Sequence, residues 1–331
     1  MEENFLLDLI KISSESGKEK EIGEFIIRRL KSSFNIRKQK IKNNFNILAY
    51  VGKPKILFSC HLDVVPGKLK IKKDKRFIHG RGACDTKSQI AASILASEKA
   101  IEKGLSNFGL LFTVQEETDF AGAKKVAKLI PNSVNLIVIG EPTNLDIVKG
   151  QKGLLTFKIV CRGKAAHGAT PKKGVNAIEL LMNSLQKLKK IKFEKDKELG
   201  ENTINIGKIS GGTNVNIVPD YAEAIIDIRA AISPVKLVKK MKQELNADLE
   251  IINIYEPVFS KRAETLARKL KLKTKTVSYF TEAAFLNKRA ETIVLGAGSI
   301  DDAHSNKEKV KIKDFKKLIS IYSNLIKEYQ N

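Results

Sequence analysis

Acidic residues and histidines stand where short apolar runs of this chain end. His61 and Asp63 follow the run 56–60, Glu116 and Glu117 follow 109–114, and Glu141 follows 135–139. His304 comes after the run 292–295 and a Gly-Ala-Gly loop, and Asp85 closes the segment Gly80-Arg81-Gly82-Ala83-Cys84-Asp85 just before a helical pattern. Two imidazoles with several carboxylates form a hard-to-borderline donor set that suits zinc, cobalt or manganese rather than an iron–sulfur cluster. Five such elements offer more donors than the three protein ligands of a single catalytic zinc. They suit two ions about 3.5–4 Å apart that share one bridging carboxylate, and hence hydrolysis by a water activated between them. Singly, each signal is weak: a strand-end histidine is usually structural, and a Glu-Glu pair is usually a solvated turn. The chain has only four histidines, however, and two of them fall at one predicted edge.

That edge follows from the order of the elements. Strand patterns at 45–51, 56–60, 109–114, 135–139 and 292–295 alternate with helical patterns near 86–103, 119–129, 260–271 and 313–329. Residues 3–33 add two amphipathic helices broken at 13–17. Such alternation predicts an α/β domain, a mainly parallel sheet with helices on both faces. Sites in open α/β sheets form outside the carboxyl ends of the strands, so the polar clusters should converge. The middle of the chain reads differently: strand 154–160, helix 175–190, strands 203–209 and 222–229, helix 235–246, strand 249–255. This β-α-β-β-α-β order is the ferredoxin-like pattern. It predicts an inserted α+β domain over 154–256, with the α/β domain built from 1–153 and 257–331.

At 331 residues the prior is roughly two domains, and a 42% hydrophobic content supports a buried core. No apolar run approaches the roughly 20 residues that span a bilayer. The start MEENFLLDLI lacks the basic region and small-residue cleavage site of a signal peptide. Cys60, Cys84 and Cys161 form neither a CxxC nor an even framework, which suits a reducing compartment. A cytoplasmic protein without a membrane partner is expected. The net charge of +23 comes from 60 basic and 37 acidic residues, with 50 lysines against 10 arginines, scattered along the chain. A nucleic-acid face favours arginine forks and stacking aromatics, and aromatics are only 6% here, without tryptophan. The charge therefore reads as a lysine-rich solvated surface, with steering of an acidic partner as its remaining use.

The motifs HLDVVP (61–66), GRGACDTK (80–87), QEE (115–117), GEPT (140–143), GKAAHGATPKKGVNAI (163–178), NIVPD (216–220), IDIR (226–229), FTEA (280–283) and AHSNKE (303–308) occur in one order. In these motifs the chain resembles the di-zinc metallopeptidases and deacylases that include acetylornithine deacetylase, succinyl-diaminopimelate desuccinylase, aminoacylases and glutamate carboxypeptidases. The resemblance covers nearly the whole chain. It implies that His61, Asp85 and Glu141 hold one metal ion and Asp85, Glu117 and His304 a second, with Asp85 bridging. It implies Asp63 as the residue that fixes the His61 tautomer, and Glu116 as general base and then acid. From the inserted domain it implies that His167 stabilises the oxyanion, in the family's dimers from the partner subunit, and that Arg229 and Asn216 bind substrate. Ser88 stands where the family usually has glycine, and the GAGSIDDAH loop lacks a proline common among relatives.

The resulting expectation is a homodimeric hydrolase with two divalent ions, zinc first and cobalt or manganese next, removing the acyl group of an N-acyl amino acid. Cleavage of small peptides, or release of lysine or ornithine from an acidic carrier protein, are the alternatives within that class. A non-catalytic basic binding protein is the reading of a different class, and it would not need all five donors and Glu116. Cys60 and Cys84 read as core packing and His79 as structural. The loops at 211–212 and 296–298 lack the flanking signature of a phosphate cradle.

Overall fold

The computed structural model describes residues 2–245 and 247–330. The chain begins with helices α1 (Glu2–Lys11) and α2 (Lys20–Leu30), then strands β1 (Asn35–Ile41), β2 (Asn44–Val51), β3 (Ile56–His61), β4 (Lys72–Lys73) and β5 (Phe77–His79). Helix α3 (Lys87–Glu102), β6 (Phe108–Thr113), α4 (Ala121–Lys125), β7 (Leu136–Ile139) and β8 (Ile147–Gln151) follow. Next come β9 (Gly153–Arg162), α5 (Ala177–Lys190), β10 (Thr203–Gly211), β11 (Tyr221–Ala230), α6 (Pro234–Glu244) and β12 (Asp248–Tyr255). The chain ends with β13 (Val258–Phe259), α7 (Ala263–Leu270), β14 (Thr274–Val277), α8 (Ala283–Leu286), β15 (Glu291–Val294), β16 (Lys309–Lys311) and α9 (Ile312–Glu328). Two compact units result. One comprises the chain up to Lys149 with Ser260–Lys275 and Thr281 onward; the other comprises Gly150–Phe259 and Thr276–Phe280.

In the first unit the sheet runs β1-β2-β6-β3-β7-β15-β8. The strands β6, β3, β7 and β15 are parallel to one another. Each is a nearly continuous apolar run, the composition a parallel strand needs when both of its faces are covered. The mainly parallel α/β expectation is borne out, with antiparallel strands added at the flanks by β1, β2 and β8. β1 (NIRKQKI) is mostly exposed and too polar for its periodicity to announce a strand. In register, His61 lies beside Thr113, and Ile139 lies beside both Ser59 and Val294. The carboxyl ends of all four parallel strands are therefore level.

Helix α3 is buried along most of its length and packs against α1 and α9. Helix α9 buries Phe315, Leu318, Ile319, Tyr322, Leu325 and Ile326 in one stripe, the spacing of an amphipathic helix. The Tyr322 ring lies 4.6 Å from Phe58, and its hydroxyl donates to the Leu295 carbonyl at 2.7 Å.

The second unit is a four-stranded antiparallel sheet in the order β10-β11-β9-β12. With α5 and α6 this is the ferredoxin-like arrangement. Strand β11 alternates, burying Ala222, Ala224, Ile226, Ile228 and Ala230. These pack with Leu155, Phe157 and Ile159 of β9 and with Leu181, Leu188, Leu237 and Met241 of the helices. Asn176 caps α5 by accepting the N–H groups of Ile178 and Glu179, and Pro234 begins α6 where no N–H is needed. No helix among the described residues is long and apolar enough to cross a membrane.

Tyr322→Phe removes one hydroxyl and leaves the Leu295 carbonyl without that donor in the core. Urea unfolding should show a loss of about 1–3 kcal/mol with an unchanged far-UV spectrum. An unchanged midpoint would mean that the bond contributes nothing to stability.

Candidate metal centre and active site

The level strand ends bring the polar clusters together. His61 is the last residue of β3, Glu116 and Glu117 follow β6, Glu141 follows β7, and His304 lies in the loop after β15. Asp85 precedes α3. His61 Nε2 lies 3.0 Å from Asp85 Oδ1 and 3.9 Å from Glu141 Oε1. His304 Nε2 lies 2.8 Å from Glu117 Oε1 and 3.3 Å from Asp85 Oδ2. One oxygen of Asp85 thus faces each imidazole. Donor atoms of His61, Asp85 and Glu117 all lie within 4.8 Å of one another. Glycine is required at Gly296, because a Cβ there would run into the Glu141 carbonyl and the Gln89 side chain. His304 itself adopts the left-handed region, with φ 59, uncommon for a residue other than glycine.

The electrostatics fit a cation. Burial opposes charge on His61, but Asp63, Asp85, Glu141 and Glu116 hold its imidazole well above the ordinary value. Asp85 is buried too, yet His304 and His61 hold its carboxyl far below the usual range. Burial pushes Glu116 and Glu141 well up despite the neighbouring His61, and the other carboxylates add to the effect. The bonds to Asp85 and Glu117 raise His304 to about 10. Among the described residues no lysine or arginine pairs with Asp85, Glu117 or Glu141. His61 Nδ1 lies 2.9 Å from the Asp63 carbonyl, and a carbonyl can only accept, so Nδ1 carries the proton. Nε2 faces carboxylate oxygens, so either a second ring proton or a metal ion stands between them. This donor set can hold divalent metal.

Asp63 does more than orient His61. Its carboxylate is 3.5 Å from Nδ1, farther than its own carbonyl. The same carboxylate accepts the N–H groups of Glu116 and Glu117, both at 3.0 Å, and the Ser16 hydroxyl at 2.7 Å. It therefore fixes the turn that presents both glutamates. Glu19 supports the same turn by accepting from Gln115 N–H at 3.1 Å. Sequence reasoning gave no role to Glu19, Ser16, Gln89, Arg81, Glu282 or Glu308. Glu282 is 1% exposed, and burial raises its carboxyl to about 7. Its only sequence signal was the FTEA motif. His79 pairs with Asp74 at 3.1 Å, and Cys60 and Cys84 are buried free thiols. Ser88 bonds through its hydroxyl to the Gln89 side-chain oxygen.

His167, Asn216 and Arg229 belong to the second unit. His167 and Asn216 sit on adjoining loops, with the Gly168 N–H donating to the Asn216 carbonyl at 2.7 Å. Both side chains are exposed. His167 Nδ1 accepts the Ala169 N–H at 3.1 Å, which puts the ring proton on Nε2 as a free-standing donor. Arg229 stands on β11 opposite Thr203, its Nε paired with Asp227 at 2.9 Å.

A parallel-sheet edge lined by imidazoles and carboxylates, in a chain with an inserted ferredoxin-like unit, fits the class of metal-dependent hydrolases. Comparison with known proteins narrows it. Residues 149–253 match the M20 peptidase dimerisation domain. A probable carboxypeptidase of Talaromyces marneffei is 32% identical, covering 96% of this chain and 84% of its own length. The acetylornithine deacetylase of Buchnera aphidicola is 30% identical, covering 98% and 96%. The crystal structure of a tripeptidase from Staphylococcus aureus superposes with a TM-score of 0.83 at 23% identity, covering 99% of this chain and 97% of that one. The chain belongs to the M20 peptidase family, and it is a hydrolase of amide bonds.

Protein purified without chelator should contain more than one equivalent of divalent metal by elemental analysis, and chelation should abolish hydrolysis. A fully active metal-free protein would contradict this account of the cluster.

Proposed function

We propose that this hydrolase cleaves the amide bond between an acyl group and the nitrogen of an amino acid whose carboxylate is free. The observation that carries it is Asp85, whose two carboxylate oxygens face the two imidazoles, with Glu141 and Glu117 alongside. His61, Asp85 and Glu141 would hold one divalent ion, and Asp85, Glu117 and His304 the other. Bound there, zinc (or cobalt or manganese) supplies Lewis acidity at the scissile carbonyl and lowers the pKa of water. Glu116, buried beside the cluster and held through its N–H by Asp63, takes the water's proton and passes it to the leaving nitrogen. His167 offers its Nε2–H to the developing oxyanion. The Arg229 guanidinium pairs with the substrate carboxylate, and Asn216 offers its side-chain amide to the substrate.

In this reading the first unit is the catalytic domain and the second the lid and dimerisation domain. The match to a dimerisation domain supports a homodimer in which His167 serves the partner's site. A free carboxylate beside the cut bond is common to N-acyl amino acids and to peptides cut at their C-terminal residue. The carboxypeptidase name of the Talaromyces relative favours peptides as the second reading. The acidic carrier protein rests on the net charge of +23 alone. A cytoplasmic location rests on the cysteine usage.

Hydrolysis should be screened with N-acetyl and N-succinyl amino acids and dipeptides, each with its carboxylate free or amidated. Turnover should require the free carboxylate, and preference for the amidated forms would overturn the substrate class. On the preferred substrate, Glu116→Gln should lower kcat by roughly 10²–10⁴ with metal retained. Glu117→Gln should instead lose metal, and exchanged phenotypes would reverse the two assignments.

For the assembly, a His167→Ala chain mixed with a Glu116→Gln chain should regain activity. Each is nearly inactive alone, and one site of the heterodimer combines an intact Glu116 with the partner's intact histidine. Absence of recovery despite demonstrated subunit exchange would place His167 in its own chain's site, or outside catalysis.

A further inference from the structure

Asp85 lies in a loop, so its place between the two imidazoles depends on what holds its backbone. The peptide group joining Cys84 to Asp85 is gripped at both ends. The Asp85 N–H donates to Glu308 Oε1 at 3.3 Å, and the Cys84 N–H donates to the same oxygen at 3.2 Å. The Cys84 carbonyl accepts from Gln89 Nε2 at 2.7 Å. Both gripping side chains also reach the C-terminal segment that carries His304. Gln89 Nε2 donates to the Ala297 carbonyl at 3.2 Å, and Glu308 lies four residues after His304. The other oxygen of Glu308 accepts from Arg81 Nη1 at 2.8 Å, and Arg81 Nη1 in turn donates to the Ser305 carbonyl at 3.3 Å. Gln89 is fully buried, Glu308 is 1% exposed, and the Arg81 side chain is 12% exposed.

We propose that Glu308 and Gln89 are positioning residues that set the separation between Asp85 and His304, and with it the fit of the site to two ions. The inference rests on the two-ion reading above. A buried carboxylate cannot lose its donors cheaply, so Glu308 holds Arg81 and the Cys84–Asp85 backbone together or forces the loop to move. Gln89 works from the opposite end of the same peptide group. Its amide would have to abandon either Cys84 or Ala297 if the two loops drew apart. Neither side chain is a metal donor in this arrangement, and both act through the backbone of residues that flank one.

The test is cobalt binding to metal-free protein, followed by equilibrium dialysis and by the visible spectrum of the bound ion. Wild type should take up two ions. Glu308→Ala and Gln89→Ala should each bind at least one ion roughly 10–100-fold more weakly, with an altered spectrum and an unchanged far-UV spectrum. Glu308→Gln, which keeps an acceptor oxygen for the two N–H groups, should recover part of the loss. A folded Glu308→Ala or Gln89→Ala protein that binds two ions with wild-type affinity and spectrum overturns the proposal, even if its melting temperature falls. Should Glu308→Ala fail to fold, Gln89→Ala, which leaves the buried ion pair intact, decides the matter. Wild type that binds no cobalt would instead overturn the two-ion reading itself.

Discussion

Concentrated negative charge in a buried place is the constraint around which this molecule is arranged. Asp63, Asp85, Glu116, Glu141 and Glu282 are all buried near one sheet edge, with Glu117 half-buried beside them. Among the described residues, two imidazoles are the only cationic groups against the proposed ligand carboxylates. Carboxylates in such a setting repel one another and resist ionisation. They stay together because each is fastened to a rigid element, and because divalent metal can supply the charge they lack.

The fold provides that fastening in layers. Four parallel strands of apolar residues end level, which fixes where each loop begins. Short hydrogen bonds then fix where each loop goes. Thr143 bonds reciprocally with the backbone of Gly296, joining the Glu141 loop to the C-terminal loop. Asp63 gathers Glu116 and Glu117 through their backbone. The donors of the proposed site are thus set through contacts to their backbone and loops. Helix α3, packed against α1 and α9, begins just after Asp85 and anchors the far side of its loop.

Much of this was legible in the sequence, for a physical reason. Residues such as His61, Glu117 and Glu141 announce themselves by type and by following apolar runs that can only be buried strands. The ferredoxin-like unit was legible because β11 alternates cleanly and its helices carry one apolar face. The strands β1 and β8 were not, since one is polar on both sides and the other is interrupted by Lys149 and Gly150. The supporting side chains were hidden for a different reason. Glu308, Gln89 and Glu19 act on backbone N–H and carbonyl groups, which every residue has, so no residue type at any spacing points to their partners. The second carboxylate function of Asp63 was hidden in the same way.

The first unit is built from stretches that precede and follow most of the second, and that discontinuity bears on how the protein comes into being. During synthesis from the N-terminus, β7 keeps an open edge until β15 emerges and pairs with it. Such an edge is a place where a nascent chain can associate wrongly, so the interval favours protection by chaperones. Over the same interval Asp85 faces one imidazole, because His304 has not yet been made. Glu308 follows His304 by four residues and reaches the ribosome exit almost with it. The last proposed ligand and the side chain proposed to set its distance therefore emerge together, after the whole of the second unit. The amide-cutting centre proposed above, assembled in this order, lacks His304 until the second unit has been made.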